Sequence, residues 1–433
     1  MNEAMFDWVV VGGGSAGLAS VLALTGRLPQ CDPVDGSILL LDAGSLGHGT
    51  SLNNPGRGQG GFHYPDIATA EHLQDLLVHN LTVYPDRFAS HISRLDDGEI
   101  GRSWYALLPH EPYRPDIPRS IVSEDASRRL FEHLAARWNQ LRRVNPALEV
   151  LGTSPFMEWV GPDRAKMVTG TTMYDRVAVT LEPGLDVPAF MAALEEDVKG
   201  ESRVTILEHD RLTHIERLTK PAGDGARFVL ETVHEDDVYR VRGRNVNICA
   251  WEDTEELLTP LGFEFDTLNR IKRGFHVRLD PSSRDFPSTI AVYGSHAMFR
   301  NLYDGTGFTT IADLTNVNTH RLRDTEAEFS DYVAHRHHVD EETLKAQVHE
   351  VLNRYFPALE VREVADVVYG CVKIFSRTGR IDLNDPHSEH NRRAVQGFAR
   401  QLEPGLWITW AMKLVSCFVA AEAFHAEVMA ARA

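Results

Sequence analysis

Gly12, Gly14 and Gly17 stand in the order G-x-G-x-x-G directly after the apolar run Val9-Val10-Val11. At that spacing Gly12 permits a tight turn out of a strand. Gly14 lets the main chain approach a pyrophosphate, and Gly17 lets the next helix pack closely on a sheet. A helix opening at Ser15 and Ala16 aims its free N–H groups and the positive end of its dipole at the phosphates. A second apolar run, Ile38-Leu39-Leu40-Leu41, ends in Asp42. A carboxylate there can accept hydrogen bonds from ribose hydroxyls and repels a 2′-phosphate. The chemistry expected of these residues is dinucleotide binding.

The elements that must position them follow from local pattern. Val9–Val11 reads as a buried strand, 18–28 as an Ala/Leu-rich helix and 38–41 as the next strand. Residues 43–61 hold seven glycines in nineteen positions, too many for a helix or a regular strand. Placed directly after the ribose-binding acid, this loop is expected to lay its backbone against a flat ligand. Its candidate contacts are Ala43, Gly44, Ser51, Asn53, Asn54, Arg57, Gly60 and Gly61. Beyond it the pattern predicts a helix over 67–80 and short strands near 106–108 and 158–160. A boundary is expected at 181–188, with a helix over 189–198, a strand at 204–207 and a meander near 212–218, 226–234 and 238–242. Residues 244–250 read as a further buried strand ending at Trp251. Residues 270–315 alternate like a sheet, 323–355 read as a charged helical region, 405–410 as a strand and 413–431 as a long amphipathic helix. The cluster His335-Arg336-His337-His338 reads as a solvated helix face, without metal-ligand spacing.

Bulk properties bound the possibilities. The chain has 433 residues, 43% hydrophobic and 24% charged, which fits a large two-domain globule. Lys+Arg 44 against Asp+Glu 62 gives a net charge of −18, which disfavours nucleic acid and anionic membranes as partners. Four dispersed cysteines without a C-x-x-C pair argue against zinc, an iron–sulfur cluster or a disulfide framework. The first strand opens near residue 7, leaving no room for a signal peptide. The apolar stretch 406–421 is broken by Lys413 and reads as too short to span a bilayer. A cytoplasmic protein is expected.

Taken in order, four segments resemble the D-amino-acid oxidase (DAO) superfamily of FAD-dependent oxidoreductases. They are the Gly12–Gly17 fingerprint with Asp42, the glycine-rich segment 49–61, the segment 181–188 with its helix, strand and meander ending at 246–251, and 408–421. In the last, Lys413-Leu414 matches the centre of the family's C-terminal flavin turn. The closest likeness is to the 2-hydroxyacid oxidase and malate:quinone-type branch. The chain departs from the family where Ala250-Trp251 replaces Ala-Gly, putting a bulky indole where the main chain usually approaches the adenosine side, and where Ala411-Met412 replaces glycine.

The resemblance implies an α/β fold. A Rossmann-like FAD-binding domain, discontinuous over 1–88, 181–268 and 366–433, would carry an α+β substrate domain of 89–180 and 269–365 built on a mixed or antiparallel sheet. It implies FAD, a small-molecule substrate, and oxygen or a quinone as electron acceptor. The expected reaction removes a hydride from a C–H beside an amine or hydroxyl of a small carboxylated metabolite. Met412, Lys413 and Leu414 would face the flavin. The same likeness makes Arg377 and Arg380 the candidates for fixing a carboxylate, with His63 and Tyr64 after the glycine-rich loop. His276 and His296 are further candidates as base; no cysteine or histidine matches a covalent flavin tether, and the nearby His48 and His63 read as ordinary loop histidines. Three other readings stay open: a tailoring flavin enzyme acting on a larger biosynthetic intermediate, a redox-inactive binding protein on the same fold, and an NAD-dependent dehydrogenase, which the C-terminal return and the glycine-rich loop suit less well than FAD.

Overall fold

The computed structural model describes residues 4–92, 101–110, 120–219, 222–293, 297–302, 304–311, 318–320, 341–375, 387, 392 and 397–432. The chain forms two compact units. The first comprises Met1–Leu52, Val187–Asp266 and Val395–Ala433, and the second Asn53–Asp186 and Thr267–Ala394. Residues 53–88, 181–186, 267–268 and 366–394 therefore group with the second unit, unlike the boundaries drawn from sequence. Packing explains two of these differences. The helix Ile67–Val83 lies on the helix Glu124–Val144, where the Gln74 amide donates to the Leu134 carbonyl at 3.0 Å. Val361–Phe375 is one strand paired with Thr267–Leu279, and the register shift between Asp366 and Val364 does not end it.

The first unit is built on a sheet whose parallel strands lie in the order Leu406–Trp410, Asp237–Ile248, Ala4–Val11, Ile38–Leu41 and Val204–Leu207. Phe398–Glu403 adds an antiparallel edge. Ile38–Leu41 is apolar throughout because it is buried on both faces. All ten residues of the helix Ser15–Leu24 are buried, which fits its lack of a polar face. The meander Asp210–Arg217, Phe228–His234 and Asp237–Ile248 is antiparallel. Its last strand runs unbroken through Gly243, where the sequence suggested two separate strands. Arg242 and Arg244 do not interrupt it, since they pair at its surface with Asp224 (2.8 Å) and Asp7 (3.0 Å). At the C-terminus a short 3-10 turn, Leu414–Ser416, leads into the helix Cys417–Arg432. Together they form the one run among the described residues long and apolar enough to cross a membrane, longer than the sequence suggested. Its Phe418 meets Phe190 edge-on at 5.9 Å and its Phe424 meets Trp8 at 6.1 Å, as expected of a core helix.

The second unit carries a mixed sheet. Its order is Asn318–His320, Thr267–Leu279, Thr306–Ile311, Ala297–Asn301, Ser288–Val292, Ser103–Leu107, Arg176–Thr180 and Met157–Val160, with Val361–Phe375 on Thr267–Leu279. The helix Glu341–Tyr355 packs Leu344, Val348 and Leu352 against Phe275, Phe299 and Ile311 of this sheet. The helix Glu124–Val144 was not anticipated. Its signal is present: Ser123 caps Ala126 N at 3.3 Å, acids fill the first turn, and Leu130, Phe131, Leu134 and Trp138 form the buried stripe. Dense arginine on its exposed face hid that stripe.

Candidate cofactor and substrate sites

In the first unit the strands run from Ala4–Val11 to Ile38–Leu41 and Val204–Leu207 on one side, and to Asp237–Ile248 and Leu406–Trp410 on the other. Strand order reverses at Ala4–Val11, so a crevice opens beyond the carboxyl ends of the strands there. Gly12 to Gly17 line it. Gly12 adopts φ +101°, and a Cβ on it would lie 2.7 Å from the Cys249 carbonyl oxygen. A Cβ on Gly17 would lie 1.7 Å from the Gly12 carbonyl oxygen. Each position excludes a side chain, which is the cradle that a pyrophosphate needs.

The helix Ser15–Leu24 has no capping side chain on Gly14 and no acid in its first turn. Its positive end is thus left for an anion. Ser51 reaches this end: its Oγ accepts from Ser15 N at 3.0 Å and donates to Ser15 Oγ at 3.3 Å. Ala16 and Gly17 follow within the same first turn. Asp42 is half-buried, and its two oxygens accept from Gly13 N (2.5 Å) and Gly44 N (2.7 Å). A carboxylate has about four lone-pair positions. Two stay open for ribose hydroxyls, while the two amides fix the group's direction. Ala43, between them, is exposed. These residues fit an adenine dinucleotide.

The C-terminal turn is also preformed. Lys413 N donates to Ser416 Oγ at 3.1 Å, and Ser416 Oγ donates back to the Lys413 carbonyl at 2.8 Å, with Met412 and Leu414 buried on either side. No acid occupies the first turn of the following helix, so this second helix start can also face an anionic group.

Other expected cofactor contacts are occupied within the second unit. Arg57 is buried and donates through Nε to Glu182 Oε1 at 2.8 Å, and through Nη2 to the same oxygen and to the Tyr105 hydroxyl. Tyr105 donates to Glu182 Oε2 at 2.8 Å, and Gly60 N to the same oxygen at 2.6 Å. Burial opposes the Arg57 charge, yet Glu182 and Tyr105 hold its pKa above the ordinary value. Burial pushes the Tyr105 phenol well above its usual range. Arg57 and Gly60 are therefore part of a buried ion-pair network that takes Arg57 Nε and Nη2 and the Gly60 N–H. Asn53 Nδ2 donates to the Tyr369 carbonyl at 2.7 Å, and Asn54 Oδ1 accepts from Gly56 N at 3.0 Å. Gly61 lies against the helix Ile67–Val83, where a Cβ would meet the Ala70 carbonyl at 2.4 Å. Loop residues that look alike in sequence thus divide: Ser51 serves the helix end, and 53–61 knit the second unit.

His63 stands edge-on to the buried Tyr64 ring at 5.3 Å. His48 Nδ1 lies 2.9 Å from the Leu46 carbonyl. Arg377, Arg380, His296 and the 335–338 cluster lie outside the described residues. His276 meets Phe308 edge-on at 5.1 Å, and burial lowers its pKa against the opposing pull of Asp366.

Sequence reasoning missed a set of buried cations in the second unit: Arg273 (2% exposed), Arg300 (5%) and Lys373 (1%). Arg273 is paired across the strands with Tyr369, and its Cζ lies 6.0 Å from that ring's centre. Lys373 is four residues beyond Tyr369 on the same strand. Even spacing and direct pairing put Arg273, Tyr369 and Lys373 on one face of the strand pair. Arg300 Nη1 donates to the Pro55 carbonyl at 3.1 Å. The available signal was a single cation set inside an apolar strand, as in Val372-Lys373-Ile374. Such residues are almost never fully buried without a partner.

The family model of FAD-dependent oxidoreductases, DAO, matches residues 7–408. Among solved structures, glycine oxidase from Geobacillus kaustophilus is similar, with a TM-score of 0.59 and 12% identity over 99% of this chain and 94% of that one. NikD, described as an unusual amino acid oxidase essential for nikkomycin biosynthesis, gives 0.64 and 15% identity over 98% and 94%. L-α-glycerophosphate oxidase from Mycoplasma pneumoniae, with FAD bound, gives 0.62 and 14% identity over 98% and 95%. At these identities the likeness is one of fold. No curated protein sequence matches the chain.

Proposed function

The chain belongs to the DAO family of FAD-dependent oxidoreductases, and from that premise we propose that it removes a hydride from the carbon bearing an amine or a hydroxyl in a small carboxylated metabolite. The product is an imine or a keto acid. The supporting observation is the pair of buried cations, Arg273 and Lys373, on one face with Tyr369. A guanidinium fork meets a carboxylate with two parallel charge-assisted hydrogen bonds, and an ammonium adds a point charge. Burial strengthens both because water competes less. FAD, when bound, would supply the hydride acceptor, with oxygen or a quinone as the final electron acceptor.

Of the two candidate bases, His276 alone lies among the described residues, and its strand parity favours an amine over an alcohol. An alcohol needs a base to take its proton, whereas an amine can lose a proton to solvent before it binds. His276 is three residues from Arg273 with no bulge between them, so it lies on the opposite face from the two cations.

Anaerobic mixing with a panel of amino acids, hydroxy acids and their neutral amides tests the proposal. Amino acids should bleach the flavin absorption and their amides should not. Arg273→Met should raise KM for the acid about 100-fold, the scale set by truncating a buried charge partner, with a smaller change in kcat. Equal bleaching by the amides, or an unchanged KM in Arg273→Met, would sink the carboxylate reading.

A further inference from the structure

Trp251 has φ +43°. This is the left-handed region, where a bulky side chain is a strained outlier and glycine is relaxed. The strain falls at a particular place. Trp251 follows the strand Asp237–Ile248 by three residues. Cys249 N donates to the Val11 carbonyl at 2.7 Å, which carries the strand pairing to the rim of the glycine turn. The Cys249 carbonyl oxygen and Ala250 N lie 2.7 and 3.0 Å from where a Gly12 Cβ would stand. Residues 249 and 250 thus wall the cradle on one side, and Trp251 is the next residue along that rim. Asp42 is on the other side, because Ile38–Leu41 and Asp237–Ile248 flank Ala4–Val11 on opposite edges.

A dinucleotide crossing Gly12–Gly14 with its adenosine ribose on Asp42 would carry its other half toward the opposite rim. From this we infer that Trp251 is a cofactor contact on the ribityl–flavin half of FAD, held in a strained conformation for that purpose, and not an obstruction of the adenosine half. The expectation from sequence put the indole on the adenosine side; strand order argues for the other half. The inference rests on the FAD reading of this crevice.

The test is titration of the full-length chain, freed of flavin, with FAD, ADP and riboflavin 5′-phosphate as separate probes, followed by quenching of intrinsic fluorescence and by ultrafiltration. Trp251→Gly should weaken FAD by about five- to tenfold, the scale of one lost aromatic contact. It should leave ADP affinity unchanged and raise the unfolding temperature of the flavin-free protein, because the strain is released. Trp251→Asn also tolerates the left-handed region and should reproduce the loss if the glycine variant misfolds. Trp251→Phe should retain most of the affinity. Unchanged or tighter FAD binding in both the glycine and asparagine variants overturns the inference, as does an equal loss for ADP. A wild-type chain that takes up no FAD overturns the reading of the crevice itself, and so is told apart from failure of the Trp251 assignment.

Discussion

Two carboxylates, one in each unit, do opposite work with the same chemistry. Asp42 is half-buried and accepts from two backbone amides, so it is aimed while half of its acceptor capacity stays open. Glu182 is 1% exposed and accepts from Arg57 twice, from Tyr105 and from Gly60 N, which fills all of its lone-pair positions. The first keeps acceptor capacity that a ligand could use. The second has nothing left for one and instead fixes the segment 57–60 to 182–184, where Gly58 N also donates to the Pro183 carbonyl at 2.9 Å. A charged residue beside a glycine-rich loop is therefore a binding group only if its partners leave it capacity.

The largest effect should come from the filled carboxylate. Glu182→Ala strands a buried guanidinium and should cost about 3–5 kcal/mol of stability in denaturant unfolding. Arg57→Met combined with Glu182→Leu should recover much of that loss. A double variant as weak as the single one would show that the ion pair is not what the site requires. Next in size is Gly17→Val, whose side chain has no room beside the Gly12 carbonyl. It should cost about 3 kcal/mol as overpacking and abolish FAD uptake, whereas full FAD occupancy would break the cradle assignment.

The open carboxylate should respond differently. Asp42→Ala should lower FAD affinity about tenfold through lost hydrogen bonds, with about 1 kcal/mol lost in folding. A stability loss as large as that of Glu182→Ala would erase the contrast between the two residues. The smallest effect is a pH dependence. Burial lowers the His276 pKa below its ordinary 6.5, with Asp366 opposing. As pH falls below 6.5 the unfolded chain takes the proton first, so this contribution is complete above 6.5 and is lost as pH falls through the lower folded value. His276→Phe should flatten the unfolding free energy across that window, and an unchanged slope would rule His276 out as its source.

The nucleotide-binding unit was largely legible because its chemistry is local. Its glycines, first helix, second strand and acid fall within one short stretch, and each obeys a spacing rule. The second unit was legible mainly in its strands. The helix Glu124–Val144 was hidden by its arginines, although its cap and its buried stripe were both in the sequence. Arg57 looked like a ligand-facing residue because its partner Glu182 is 125 positions away.

The sequence by itself determined the dinucleotide fold, the family and the cofactor, because short-range sterics and a helix dipole need only neighbouring residues. Tertiary structure alone decided which charges pair and which are gathered on one face. It paired Arg57 with Glu182, brought Arg273, Tyr369 and Lys373 onto one face, and set Trp251 across the glycine turn from Asp42. Burial and strand order govern these outcomes, and both arise from contacts between segments far apart in the chain.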